Sequence, residues 1–166
     1  MIVAMDVDYR QDNAVVAGVL FRDWLDDAPI KELTTECDVL DDYVPGEFYR
    51  RELPCLLKLF EQFDCQPDTI VIDGYVYLGL DRAPGLGSHL FDALGKQIAV
   101  IGVAKSAFKD TPVSAAVRRG TSQRPLYVSA IGMDEARARQ CIQSMQGPDR
   151  MPTLLKRVDY LCRSAA

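Results

Sequence analysis

Three carboxylates in this chain stand where acids are expensive to place. Asp6 ends the apolar run Met1-Ile-Val-Ala-Met, Asp73 closes Thr69-Ile-Val-Ile-Asp-Gly74, and Glu52 follows Tyr43-Val-Pro-Gly-Glu-Phe-Tyr-Arg-Arg. A carboxylate at the end of a buried strand loses hydration, so it belongs in a polar cleft with a cation, a donor cluster or water. Two strand ends and one helical acid read together as a divalent-metal site suited to phosphodiester hydrolysis. That reaction needs an activated water, positive charge against the phosphate oxygens and stabilisation of the leaving oxyanion, all of which two Mg²⁺ ions roughly 3.5–4 Å apart can supply. A few carboxylates suffice for Mg²⁺; Asp6 would lie between the ions, with Glu52 and Asp73 on either side. Lys105 follows directly on Gln97-Ile-Ala-Val-Ile-Gly-Val-Ala104, which puts its ammonium at the sheet end near Asp73. There it could face the scissile phosphate, orient water or simply pair with a carboxylate.

The elements that must position these groups are legible in outline. Residues 1–9 and 14–22 are apolar, β-branched runs joined by the turn-forming Arg10-Gln-Asp-Asn13, which predicts a hairpin. A third strand is expected around Ile30–Val39. From Glu47 to Phe63 the apolar residues recur at helical spacing, with Pro54 accommodated as a kink or a late start. Strands at 67–74 and 97–104 are apolar enough to be covered on both faces, as parallel strands are. A helix near Ser88–Leu94 lies between them after Pro84-Gly-Leu-Gly87. The polar stretch 106–124 reads as an ordered flap or short strands, Pro125–Ser129 as another strand, and 134–145 and 151–162 as two closing helices. We expect one α/β domain over 1–166.

Composition agrees: 48% hydrophobic and 26% charged residues describe an ordinary folded domain. The N-terminus lacks the basic and apolar regions of a secretory signal, and no stretch approaches the roughly 18 apolar residues of a membrane span. The five cysteines are scattered and form no Cys-x-x-Cys pair, which argues against a disulfide framework or structural zinc and leads us to expect a cytoplasmic protein. Net charge is -5, unevenly spread: residues 1–80 carry 6 Lys/Arg against 17 Asp/Glu, residues 81–166 carry 13 against 7. An acidic half that holds cations beside a basic half that holds a polyanion fits a nucleic-acid partner, although a merely solvated surface fits equally.

The motifs, taken in order, resemble one family. Met5-Asp6-Val7-Asp8-Tyr9, Tyr43-Val-Pro-Gly46 followed by Arg51-Glu52, Val71-Ile-Asp73-Gly74, Gly87-Ser-His89, Ile101-Gly-Val-Ala-Lys105, Pro125-Leu-Tyr-Val-Ser129 and Arg150-Met-Pro152 are similar to segments of endonuclease V. The resemblance implies a ribonuclease H-like mixed sheet, an antiparallel three-strand meander plus parallel strands, flanked by helices. It implies Asp6, Glu52 and Asp73 as ligands of Mg²⁺ or Mn²⁺ with Lys105 beside them, and hydrolysis of a phosphodiester near inosine in DNA or RNA. It also implies that Tyr43, Val44, Pro45 and Gly46 form the wedge that exposes a deaminated purine; an ordinary turn aromatic is the other reading of Tyr43.

The chain departs from the family in places. Tyr75-Val-Tyr-Leu-Gly-Leu-Asp-Arg82 replaces a His-Pro-Arg-Arg segment, Ala130-Ile-Gly-Met-Asp134 replaces a Gly-His-Arg that brings a histidine near the metal, and no helical extension is expected before the first strand. A catalytically reduced nucleic-acid-binding or regulatory module is therefore the alternative to an active nuclease. Asp134, at the start of a predicted helix, could supply a fourth metal carboxylate or act as an N-cap. Arg118 and Arg119, with Arg124, could contact substrate phosphates from the flap or be solvated. His89, the one histidine, is expected to be a packed or capping side chain, and Asp8 is an outside candidate for a supporting role.

Overall fold

The computed structural model describes residues 1–38 and 49–165. The expected wedge Tyr43–Gly46 and the acidic pair Asp41 and Asp42 lie outside them. Among the described residues there are nine strands, β1 (Ile2–Tyr9), β2 (Asn13–Phe21), β3 (Lys31–Asp38), β4 (Thr69–Asp73), β5 (Tyr77–Leu78), β6 (Ala83–Pro84), β7 (Ala99–Ala104), β8 (Ala116–Val117) and β9 (Leu126–Ile131), and four α-helices, α1 (Tyr49–Phe60), α2 (Leu86–Ala93), α3 (Glu135–Ser144) and α4 (Thr153–Ser164). Seven strands form one sheet in the order β3-β2-β1-β4-β7-β9-β8, while β5 and β6 make a small hairpin apart from it.

The first three strands form the expected antiparallel meander. β4 then pairs parallel to β1, and β7 parallel to β4. β9 runs antiparallel to β7, with the short β8 beyond it as the only strand of the polar 106–124 stretch. Central position explains composition. The strands β1, β4 and β7 have neighbours on both sides and helices on both faces, so Ile2–Met5, Ile70–Ile72 and Val100–Ala104 are buried throughout. β3, at the edge, alternates exposed polar residues with inward ones that include Leu33 and the buried Cys37, and its Lys31, Glu32 and Glu36 discourage pairing with another chain.

Side-chain alternation divides the core in two. Ile2, Ala4, Val71, Ile101 and Val103 face α3 and α4, whereas Val3, Met5, Ile70, Ile72 and Val100 face α1 and α2. α1 buries Cys55, Leu56 and Leu59 and carries Pro54 within it, on the exposed side. Gly18 leaves room on β2 for Leu59 and Phe63, as a Cβ there would come within 2.9 Å of both. The five cysteines are free thiols, and no helix among the described residues is long and apolar enough to cross a membrane.

Candidate metal centre

The sheet register brings Asp6 and Asp73 together. β1 and β4 pair as Ala4↔Val71 and Met5↔Ile72, so one further step sets Asp6 beside Asp73 on parallel strands about 4.8 Å apart. After Asp73 the chain leaves the sheet at Gly74, whose φ of +139° suits glycine, and crosses over β7. That crossing needs Gly102, where a Cβ would lie 2.6 Å from the Gly74 carbonyl oxygen. It is fixed by Gly74 N donating to the Val103 carbonyl at 3.0 Å and Val76 N donating to Ser129 Oγ at 2.9 Å. The chain that leaves the strand end at Asp73 is thereby held to β7 by a main-chain bond and to β9 by the Ser129 hydroxyl.

Helices close the site from the two faces. From α1, Glu52 joins Asp6 and Asp73 around one small cavity floored by Met5, Leu56 and Ile72. From α4, Asp159 approaches Asp6, and a ligand atom from each of Asp6, Asp159 and Cys162 lies within 4.8 Å of the others. Four carboxylates from two strands and two helices thus converge on one sheet end. Lys105, two residues beyond the Asp73↔Val103 pair, puts its Nζ 3.9 Å from Asp73 Oδ2. The segment after it is anchored by the Tyr75 hydroxyl, which donates to the Ser106 carbonyl and accepts from Phe108 N.

Crowding raises the proton affinity of these acids. Burial, and then the charge of Asp73, push Asp6 up to about 8, with hydrogen bonding to Asp159 adding to the rise and Val7 N, 2.9 Å away, opposing it. Glu52 is pushed up to about 7 by burial and by Asp73, partly offset by the neighbouring Tyr9 hydroxyl and Arg51. Burial raises Asp73 too, against the lowering effect of Lys105. Carboxylates that resist ionisation for these reasons are the ones a bound cation relieves most, and the hard oxygen donors of Asp6, Glu52, Asp73 and Asp159 fit Mg²⁺ or Mn²⁺. The residues present therefore fit the metal that the sequence motifs imply.

Two expected site residues fall elsewhere. Asp134 is the N-cap of α3, its carboxylate accepting from Arg137 N at 3.1 Å. Because β9 is antiparallel to β7, it carries the chain from beside Ala104 back to Val100, and Gly132 packs on Ala99. Asp134 therefore starts its helix at the end of β7 opposite Lys105, and the fourth carboxylate comes from Asp159 instead. Arg119 is 6% exposed, and its guanidinium donates to the carbonyls of Asp149, Arg150, Met145 and Gly147. It ties β8 to the α3–α4 connection and is not free to hold a phosphate. Arg118 and Arg124 are exposed. His89 stacks on Tyr49 with ring centroids 3.7 Å apart, a packing role. Asp8 pairs with Arg10 at 3.5 Å, and Arg10 donates to the Cys162 and Arg163 carbonyls at the end of α4.

Beside the acids lies a recess of ≈ 250 Å³ walled by Tyr49, Tyr75, Leu78 and Leu86, with Glu52 and Asp73 at its edge. A second cleft, of ≈ 160 Å³, opens on the α4 side between Asp6, Asp73, Asp159 and Lys105 over an apolar floor that includes Val103 and Leu155.

A mixed sheet of this order, with acids at the ends of its first and fourth strands and helices on both faces, defines a ribonuclease H-like protein. Its family follows from comparison: the profile described as Endonuclease V matches residues 1–113. Endonuclease V of Streptomyces coelicolor is 33% identical over 189 residues, which cover 99% of this chain and 78% of that protein. The crystal structure of Endonuclease V from Streptomyces avermitilis superposes with a TM-score of 0.77 at 29% identity, over 98% of this chain and 79% of that one. Endonuclease V of Ciona intestinalis, solved with a 24mer DNA containing an inosine followed by a ribo-adenosine, gives a TM-score of 0.78 at 20% identity, over 98% of this chain and 84% of that one. The chain belongs to the Endonuclease V family.

Proposed function

We propose that this chain is a divalent-metal-dependent endonuclease that hydrolyses phosphodiester bonds in DNA or RNA near deaminated bases such as inosine. The observation that carries the proposal is the convergence of Asp6, Glu52, Asp73 and Asp159 from four separate elements on one sheet end. Mg²⁺ or Mn²⁺ held by these acids would supply an activated water and positive charge against the phosphate oxygens. The two strand acids would form the fixed part of the cradle, because their positions follow from the β1–β4 register. Glu52 and Asp159 would close it from opposite faces of the sheet. Lys105, beside Asp73 and partly exposed, would face the incoming phosphate.

Base selection would fall to the recess next to the acids. Its Tyr49 and Tyr75 walls and its apolar Leu78 and Leu86 suit a base turned out of its strand, and aromatic stacking of that kind contributes about 1–3 kcal/mol per base. The Tyr43–Gly46 segment, just before α1 in sequence, is the candidate wedge. Arg118 is a candidate for backbone contact. Inosine enters through the DNA bound to the Ciona intestinalis relative.

With Mn²⁺, the purified protein should nick an inosine-containing oligonucleotide, and Asp73→Ala should abolish the nicking. Wild type and variant equally inert on inosine, abasic, single-stranded and RNA substrates would refute the enzymatic proposal and leave a binding module.

A further inference from the structure

The metal centre is not chemically uniform. On the α1 side its donors are carboxylate oxygens, whereas on the α4 side a sulfur stands among them. Asp159 and Cys162 are three residues apart, hence on one face of the helix, and that face meets β1 where Asp6 lies. One ligand atom from each of Asp6, Asp159 and Cys162 falls within 4.8 Å of the other two. Ligands of a single tetrahedral ion about 2.0–2.3 Å away stand roughly 3.3–3.8 Å from one another, so small rotamer changes would close the set. The thiol is 1% exposed and donates to the Asp159 carbonyl at 3.2 Å. The cleft of ≈ 160 Å³ is lined by the two carboxylates of this set, Asp6 and Asp159.

We propose that Asp6, Asp159 and Cys162 form a mixed carboxylate–thiolate subsite that captures thiophilic divalent ions of the Zn²⁺ class. Hard ions take the oxygen donors, and a softer ion gains from the sulfur. Coordination releases the thiol proton to solvent and forms one metal–sulfur bond, with no change of oxidation state. Asp6 belongs to both ligand sets, so a thiophilic ion held there competes with Mg²⁺ or Mn²⁺ and inhibits. That consequence rests on the proposed nuclease reading; the binding itself does not.

Cd²⁺ titrated into the reduced, metal-free protein tests this through the ultraviolet thiolate-to-cadmium charge-transfer band. The band should saturate at one ion per chain, vanish in Cys162→Ser and persist in Cys37→Ser, Cys55→Ser and Cys65→Ser. Asp159→Asn should weaken the Cd²⁺ affinity by about tenfold or more, as expected for loss of a ligand. Absence of the band from wild type, or its survival in Cys162→Ser, overturns the proposal. If Cys162→Ser does not fold, unchanged Cd²⁺ affinity in Asp159→Asn overturns it on its own. A wild type that shows the band and cleaves nothing keeps the subsite and refutes the nuclease.

Discussion

Asp6→Asn should stabilise the metal-free protein above neutral pH even as it removes a central carboxylate. Asp6 ordinarily titrates at 3.8 and is pushed up to about 8 in the fold by burial and by Asp73. A carboxyl whose folded value is raised contributes stability that is complete below the unfolded value and is lost as pH climbs through the folded one, because the unfolded chain releases its proton first. Each pH unit across that span is worth about 1.4 kcal/mol, so a fully sealed carboxylate would cost the fold about 6 kcal/mol at pH 8. Asp6 is only half-buried and borders an open cleft, and solvent screening reduces the figure to about 2 kcal/mol. Asparagine keeps the shape without the charge. For a domain of this size a 2 kcal/mol gain raises Tm by about 4–8 °C. Thermal melts in the presence of a chelator at pH 5 and pH 8 measure it: the variant should gain that much at pH 8 and far less at pH 5. A lower Tm for the variant at pH 8, or the same gap at both pH values, refutes the reasoning.

The other expectations are more local. Asp159→Asn should lower Mn²⁺-supported cleavage about a hundredfold or more, equivalent to about 3 kcal/mol of transition-state stabilisation, with a normal melting curve as control. Asp134→Ala should leave cleavage unchanged while loss of the α3 cap costs about 1 kcal/mol, read as a Tm lower by about 2–4 °C. Arg119→Ala should destabilise the fold by about 3 kcal/mol, since it leaves several carbonyls of the α3–α4 connection without donors. Substrate affinity measured below the Tm of that variant should not change.

Much of the fold could be read from the chain because its signals are local. The apolar runs ending at Asp6 and Asp73, the turn at Arg10–Asn13 and the helical spacing from Glu47 to Phe63 are such signals, and the elements they mark carry Asp6, Asp73 and Glu52. Asp159 was hidden for a different reason: it sits within a helix whose apolar pattern looks complete. The signal was present, since Leu155, Val158 and Cys162 mark the buried face, and an acid at 159 belongs beside that face, where burial requires a partner. Asp134 misled because its placement depends on the direction of β9. That strand's antiparallel pairing with β7 is a long-range fact with no local signature. Arg119 lies in a polar stretch, and the carbonyls that bury its guanidinium are 26 to 31 residues away in sequence, beyond any local signal.

Anomalous scattering from crystals soaked in Mn²⁺ tests the metal centre most directly. A peak is expected between Asp6 and Asp73, bounded by Glu52 and Asp159 and absent from crystals of Asp73→Ala. Fully occupied Mn²⁺ elsewhere, for instance at Asp134, with no density between Asp6 and Asp73, would contradict it.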